Sequence, residues 1–114
     1  MSDEFIRVAT LEINQELESI NTILQSCSSD LDVAKNSGNI EQHMHKIKGL
    51  APMMGKENVG NLAKILDSVL KQIVSGKKTD GFFEPFVSSI SQMKIAMDNP
   101  HDLSKIQKQI LTFL

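Results

Sequence analysis

The chain has no tryptophan, no tyrosine and a single cysteine. One thiol, Cys27, excludes an intrachain disulfide framework and a cysteine-based zinc site, and it fits a reducing compartment. No sign of charge dominates. Twelve basic residues stand against 14 acidic ones, a net charge of -2, which gives no electrostatic case for nucleic acid or an anionic membrane. No run of about 18 apolar residues exists, so no membrane-spanning helix is expected. The opening MSDEF is acidic and lacks the apolar segment of a signal peptide. These absences together place the chain in the cytoplasm. There is no GxxxxGK[ST] loop and no G-x-G-x-x-G, so no nucleotide site is expected. No stretch alternates with period two for long enough to form a strand.

Helical periodicity fills the space these absences leave. The length of 114 residues suits one domain, residues 1–114. Ser2 with Asp3 and Glu4 reads as a capped helix start. Phe5, Val8 or Ala9, Ile13, Leu17, Ile20 and Leu24 follow at helical spacing. Ser26 to Asp30 is a break, because Ser and Asp side chains compete for backbone hydrogen bonds. Leu31, Val33 and Ala34 form a short helical turn, and Asn36-Ser37-Gly38-Asn39 is a loop.

A second main helix is predicted from Asn39, with Ile40, Met44, Ile47, Ala51 and Met54 as its stripe. Pro52 kinks its end and Gly55 stops it. A third runs from Glu57 to Ser75 on Val59, Leu62, Leu66, Val69 and Ile73, widened by Ile65 and Leu70. Gly76 caps it, and residues 77–81 form a loop. A fourth carries Phe82, Phe83, Phe86, Val87, Ile90, Met93 and Met97, with Pro85 in its first turn. Asn99 caps a last helix beginning at Pro100, with Leu103, Ile106, Ile110 and Leu111 on its stripe. The fold expected is all-α: an up-down four-helix bundle with an additional helix.

His45-Lys46-Ile47-Lys48-Gly49 is the segment that asks for a function. A glycine inside a helix costs roughly 0.5–1 kcal/mol relative to alanine. Spacings of three and four put His45, Lys48, Gly49 and Pro52 on one face, at the edge of the stripe through Met44, Ile47 and Ala51. A neutral imidazole is a good nucleophile. Lys48, one turn on, can hold an anion beside it, and Gly49 leaves a bare patch where a partner can approach. On the third helix Gly60, Lys64, Asp67 and Lys71 share a row. If these helices are antiparallel neighbours, the row borders His45, and Asp67 can accept a hydrogen bond from one ring nitrogen. His43 and His45 lie about 200° apart on a helix and are not a metal pair. His43 reads as solvated, and His101 has no assigned role. Met54 reads as core and Met53 as either core or docking surface. Phe82, Phe83 and Phe86 read as core, and Lys77 and Lys78 as a solvated loop.

H-x-x-K-G is the motif of histidine phosphotransfer domains, and the stretch HKIKGLAPMMGKENVGNLAKILDSVLKQIVSGK resembles the N-terminal phosphotransfer domain of CheA-type chemotaxis kinases. Gly55 and Ser75-Gly76-Lys77 match that pattern, and the motif-bearing part covers about a third of the chain. The resemblance implies a helical bundle with a solvent-accessible phosphoacceptor, His45, on the second main helix. It implies Lys48 as electrostatic support, Gly49 as clearance for a partner and Asp67 in place of a glutamate that bonds the ring. Lys64 stands where that family has a second histidine, and Lys46 where Ser or Thr is common. Leu50 and Pro52 are bulkier than its usual small residues. The implied partners are a histidine kinase catalytic domain and a response-regulator receiver domain, with no cofactor and no metal, in a monomer that is either free-standing or part of a larger kinase. The competing expectation is a helical adaptor that keeps the docking face and transfers nothing; a stand-alone enzyme ranks last.

Overall fold

The computed structural model describes residues 2–114. Six helices follow in order: α1 Asp3–Gln25, α2 Asp30–Lys35, α3 Ser37–Met53, α4 Glu57–Val74, α5 Phe83–Asp98 and α6 Ser104–Leu111. Among the described residues there is no strand. The molecule measures 42 × 24 × 22 Å. At about 1.5 Å per residue, α1 alone spans most of the long dimension. The α3–α4 pairing is the most extensive. α1 packs on α3 and α5, α4 also meets α5, and α6 lies against α4 and α5.

Each stripe goes into one core. Ala9, Ile13, Leu17, Ile20 and Leu24 are buried on α1, and the choice at its first turns falls on Ala9, because Val8 is exposed. Ile40, Met44, Ile47 and Ala51 are buried on α3, and Leu62, Leu66, Val69 and Leu70 on α4. Burying one such aliphatic side chain contributes about 1.5–3 kcal/mol. Phe82 stacks on Phe86 with centroids 5.1 Å apart and meets Phe113 edge-on at 5.4 Å. Phe83 is only partly buried, and Val87 and Met53 are exposed.

The ends follow side-chain chemistry. Ser2 Oγ accepts from the Phe5 N–H at 3.1 Å. Gly55 and Gly76 take φ of 86° and 103°, and the next N–H in each case reaches back five residues, Lys56 to Ala51 at 2.9 Å and Lys77 to Gln72 at 3.0 Å, which closes the helix with a left-handed glycine.

Two boundaries differ from the sequence expectation. Residues 37–39 are not a loop but the first turn of α3. Asn36 alone makes the break, its amide donating to the Asp32 carbonyl at 2.9 Å, while the Ser37 hydroxyl donates to Ala34 at 2.7 Å. These bonds hold the α2 end, so one residue suffices for the turn. The last helix begins at Ser104, not Pro100. Asn99 is extended and closes α5, its N–H donating to the Ile95 carbonyl at 3.0 Å, rather than capping the last helix; Asp102 Oδ1 accepts the Ser104 N–H at 2.9 Å. Asp30, expected only as a break, caps α5 from a distance: it accepts from Gly81 N–H at 2.8 Å and Phe83 N–H at 2.7 Å.

Pro52 lies in the last turn of α3, where its missing N–H withdraws one bond just before the helix ends. Its ring seats on Gly60 of α4. A Cβ at Gly60 would lie 2.7 Å from Pro52 Cγ and 2.9 Å from Cδ. Gly60 is therefore a packing residue, buried in the α3–α4 seam, rather than a member of a polar row. Gly60→Ala should destabilise the fold by about 1–3 kcal/mol, the usual cost of overpacking, despite alanine's better helix propensity. In a Pro52→Ala background the same change should become neutral or stabilising. Urea midpoints of the four proteins check this, and a neutral single Gly60→Ala would refute the contact's importance.

Candidate functional site

The α3–α4 seam brings His45, Lys48 and Asp67 together as the sequence suggests. Asp67 is the buried member, with its side chain 2% exposed. Its Oδ2 lies 2.9 Å from Lys48 Nζ and 3.1 Å from Lys71 Nζ. Burial pushes the Asp67 carboxyl up, but the Glu41 carboxyl and the Lys48 and Lys71 ammoniums outweigh it and hold the group at about 2. Lys48 is thus engaged with Asp67, and not held free beside the imidazole. Lys71 shares this task.

His45 stands above this cluster with its side chain 57% exposed. Nδ1 lies 3.6 Å from Asp67 Oδ2 and 3.8 Å from Glu41 Oε2. Both are charge-pairing distances and neither is a hydrogen bond, whose N···O separation is about 2.7–3.2 Å. The expected Asp67–imidazole bond is therefore not formed: the aspartate is one methylene short of a glutamate, and two ammoniums hold it back.

Glu41 is the residue that sequence reasoning missed. It lies one turn before His45, at a spacing where helical side chains meet, so the signal was available. Its carboxyl is raised above the usual glutamate range, chiefly by the neighbouring Asp67 carboxylate and by burial, against Lys71 and His45. Asp67 Oδ1 is buried without a hydrogen-bond partner. Glu41, Gln42, His45, Lys46 and Lys71 border an open groove of about 430 Å³. Donor atoms of Glu41, His45 and Asp67 lie within 4.8 Å of one another, a spacing that could hold a divalent ion. The two ammoniums already on Asp67 oppose a second positive ion there.

Lys64 does not join the site. It is exposed and makes no ion pair among the described residues. His43 is not merely solvated: its Nδ1 is 2.6 Å from Glu16 Oε1 on α1, and Lys46 Nζ is 3.7 Å from Glu16 Oε2. His43 and Glu16 tie α3 to α1, while Lys46 also borders the groove beside His45. His101 Nε2 lies 3.2 Å from Gln92 Oε1, a link between α5 and the segment before α6. Around Gly49 nothing would meet an added Cβ within 4 Å, so no contact inside the protein requires glycine there. Among the described residues no helix is long and apolar enough to cross a membrane. Comparison of the chain with protein-family models, curated proteins and solved structures gives no match.

Two outcomes follow from this geometry. Gly49→Ala should stabilise the isolated protein by about 0.5–1 kcal/mol, the helix-propensity difference, in thermal or urea unfolding; destabilisation would reveal an internal need for glycine. Asp67→Asn should cost about 1–2 kcal/mol near neutral pH, since the two lysines it releases can be resolvated. Asp67 is depressed from 3.8 to about 2, so its contribution is complete above that window and is lost as the pH falls through it. Glu41, being raised, works with the opposite sign: its contribution is present below 4.5 and is lost as the pH rises through its folded value. Urea unfolding at stepped pH should show wild type and Asp67→Asn converging toward pH 2; a constant gap would contradict the assignment.

Proposed function

We propose that the chain is a phosphoryl carrier of the histidine phosphotransfer type, accepting a phosphoryl group on His45 from a histidine kinase catalytic domain and passing it to an aspartate of a receiver domain. The observation that carries this is a half-exposed imidazole whose Nδ1 faces two carboxylates beside a glycine with open space around it. The H-x-x-K-G motif and the helix order agree with it. The pairings α1–α3, α3–α4, α4–α5 and α5–α1 suit a four-helix bundle with α6 appended, as in that class.

The chemistry is direct. Nδ1 retains its proton and the Nε2 lone pair attacks phosphorus. A new N–P bond forms as the P–O bond to ADP breaks, its electron pair leaving on the ADP oxygen. The ring becomes a cation, stabilised by Asp67 and Glu41 across a short, partly desolvated distance. Lys71 and Lys46, at the rim of the groove, sit where phosphoryl oxygens carry negative charge. Discharge reverses the step: the receiver's carboxylate oxygen takes phosphorus, and the N–P electron pair returns to Nε2. Gly49 keeps the helix surface bare beside the ring, so a receiver can bring its aspartate close. A helical adaptor with the same docking face is the competing reading, favoured only by the engagement of Lys48 with Asp67.

Phosphoramidate donates a phosphoryl group without a kinase, releasing ammonia. Incubated with the whole chain, it should modify His45 faster than His101 or His43 by roughly tenfold or more, about 1.4 kcal/mol in barrier, read by peptide mass spectrometry. His45→Gln should lose that adduct. Equal modification of all three histidines, or none at His45, would favour the adaptor.

A further inference from the structure

We propose that Glu41 is the positioning residue for the His45 ring: it, rather than Asp67 alone, holds the Nδ1 proton and so leaves the Nε2 lone pair free to attack. This rests on His45 being the phosphoacceptor, but its decisive measurement does not. Asp67 cannot close the 3.6 Å gap to Nδ1. Advancing toward the ring would draw Oδ2 off Lys48 and Lys71, at 2.9 and 3.1 Å, inside a seam that leaves the side chain 2% exposed. Glu41 holds no ammonium: its one ion pair among the described residues is with His45. It starts 3.8 Å from the same nitrogen, is itself 19% exposed, and turns on three side-chain bonds, the last of them soft. A movement of about 0.8 Å brings Oε2 into hydrogen-bond range. The i,i+4 relation on one helix fixes its approach without depending on how α3 and α4 are spaced.

The groups facing Glu41 favour this role. Asp67 and Lys71 approach from α4, and His45 from its own helix. Lys71 limits the repulsion between the two carboxylates. Asp67 then acts from behind, anchoring the two ammoniums, while Glu41 makes the directional bond. The transfer step needs no further proton acceptor: Nδ1–H stays, the N–P bond forms at Nε2, and the leaving group departs with the electron pair of its bond to phosphorus.

Ring tautomers of the whole, nitrogen-labelled chain can be read by long-range proton–nitrogen correlation at about pH 8, where a histidine is neutral. Wild-type His45 should be chiefly Nδ1–H. Glu41→Ala should move it toward the Nε2–H form that unrestrained imidazole prefers, and should slow phosphoramidate labelling about tenfold. Glu41→Gln, whose amide oxygen still accepts, should keep most of both. An unchanged tautomer in Glu41→Ala overturns the proposal, as does a shift in Asp67→Asn alone. Slower labelling without a tautomer change shows a structural role and overturns it too. A tautomer shift in a chain whose wild type takes no phosphoryl group upholds Glu41 as the positioning residue and overturns the carrier reading instead.

Discussion

A carboxylate excluded from water between two helices must be neutralised where it stands, and Asp67 is such a group. Desolvation raises its free energy, and Lys48 from α3 and Lys71 from α4 offset this by converging on one oxygen. The two ammoniums fix Asp67, and Asp67 fixes them. Lys48 is consequently drawn down into the seam, although it started as the residue best placed to lean over the imidazole. The ring above then faces a floor of charge that it does not touch, with Glu41 Oε2 3.8 Å from the same nitrogen.

Two glycines on this pair of helices serve opposite ends. Gly60 is indispensable inside: α4 can approach α3 at Pro52 only because no Cβ is there. Gly49 has no internal neighbour within 4 Å of an added Cβ and weakens its helix for no packing return. Two histidines divide in the same way. His43 is spent on Glu16 and the α1–α3 contact, whereas His45, two residues on, turns to solvent. Helix geometry makes that division: residues two apart point in nearly opposite directions, so adjacent histidines cannot share one task.

Much of the fold was legible because its causes are local. The stripes of α1, α3 and α4 went into the core as spaced, as did that of α5 apart from Phe83 and Val87, and Ser2, Gly55 and Gly76 bounded helices where capping chemistry says they should. Legibility failed where a distant partner intervened. Residues 37–39 carry loop residues yet continue as helix, because Asn36 and Ser37 bond backward onto α2. Asp30 caps a helix more than fifty residues away, and no local pattern announces that. At the site, His45, Gly49 and the approach of Asp67 were readable, and Glu41 was readable by spacing but overlooked. That Lys64 makes no ion pair among the described residues was not readable, since a row on a helix face does not say how far along that row a neighbour extends.

The sequence by itself determined which segments are helical, which face of each is apolar, and that one imidazole sits beside that face with a glycine next to it. Those properties depend on neighbours within one or two turns. Only the tertiary structure decided that Lys48 belongs to Asp67, that Asp67 stops 3.6 Å from the ring, and that Glu41 stands 3.8 Å from the same nitrogen. Such outcomes turn on tenths of an ångström between helices. That spacing comes from the seating of Pro52 on Gly60 and the reach of Lys48 across the seam to Asp67, not from the periodicity of either helix.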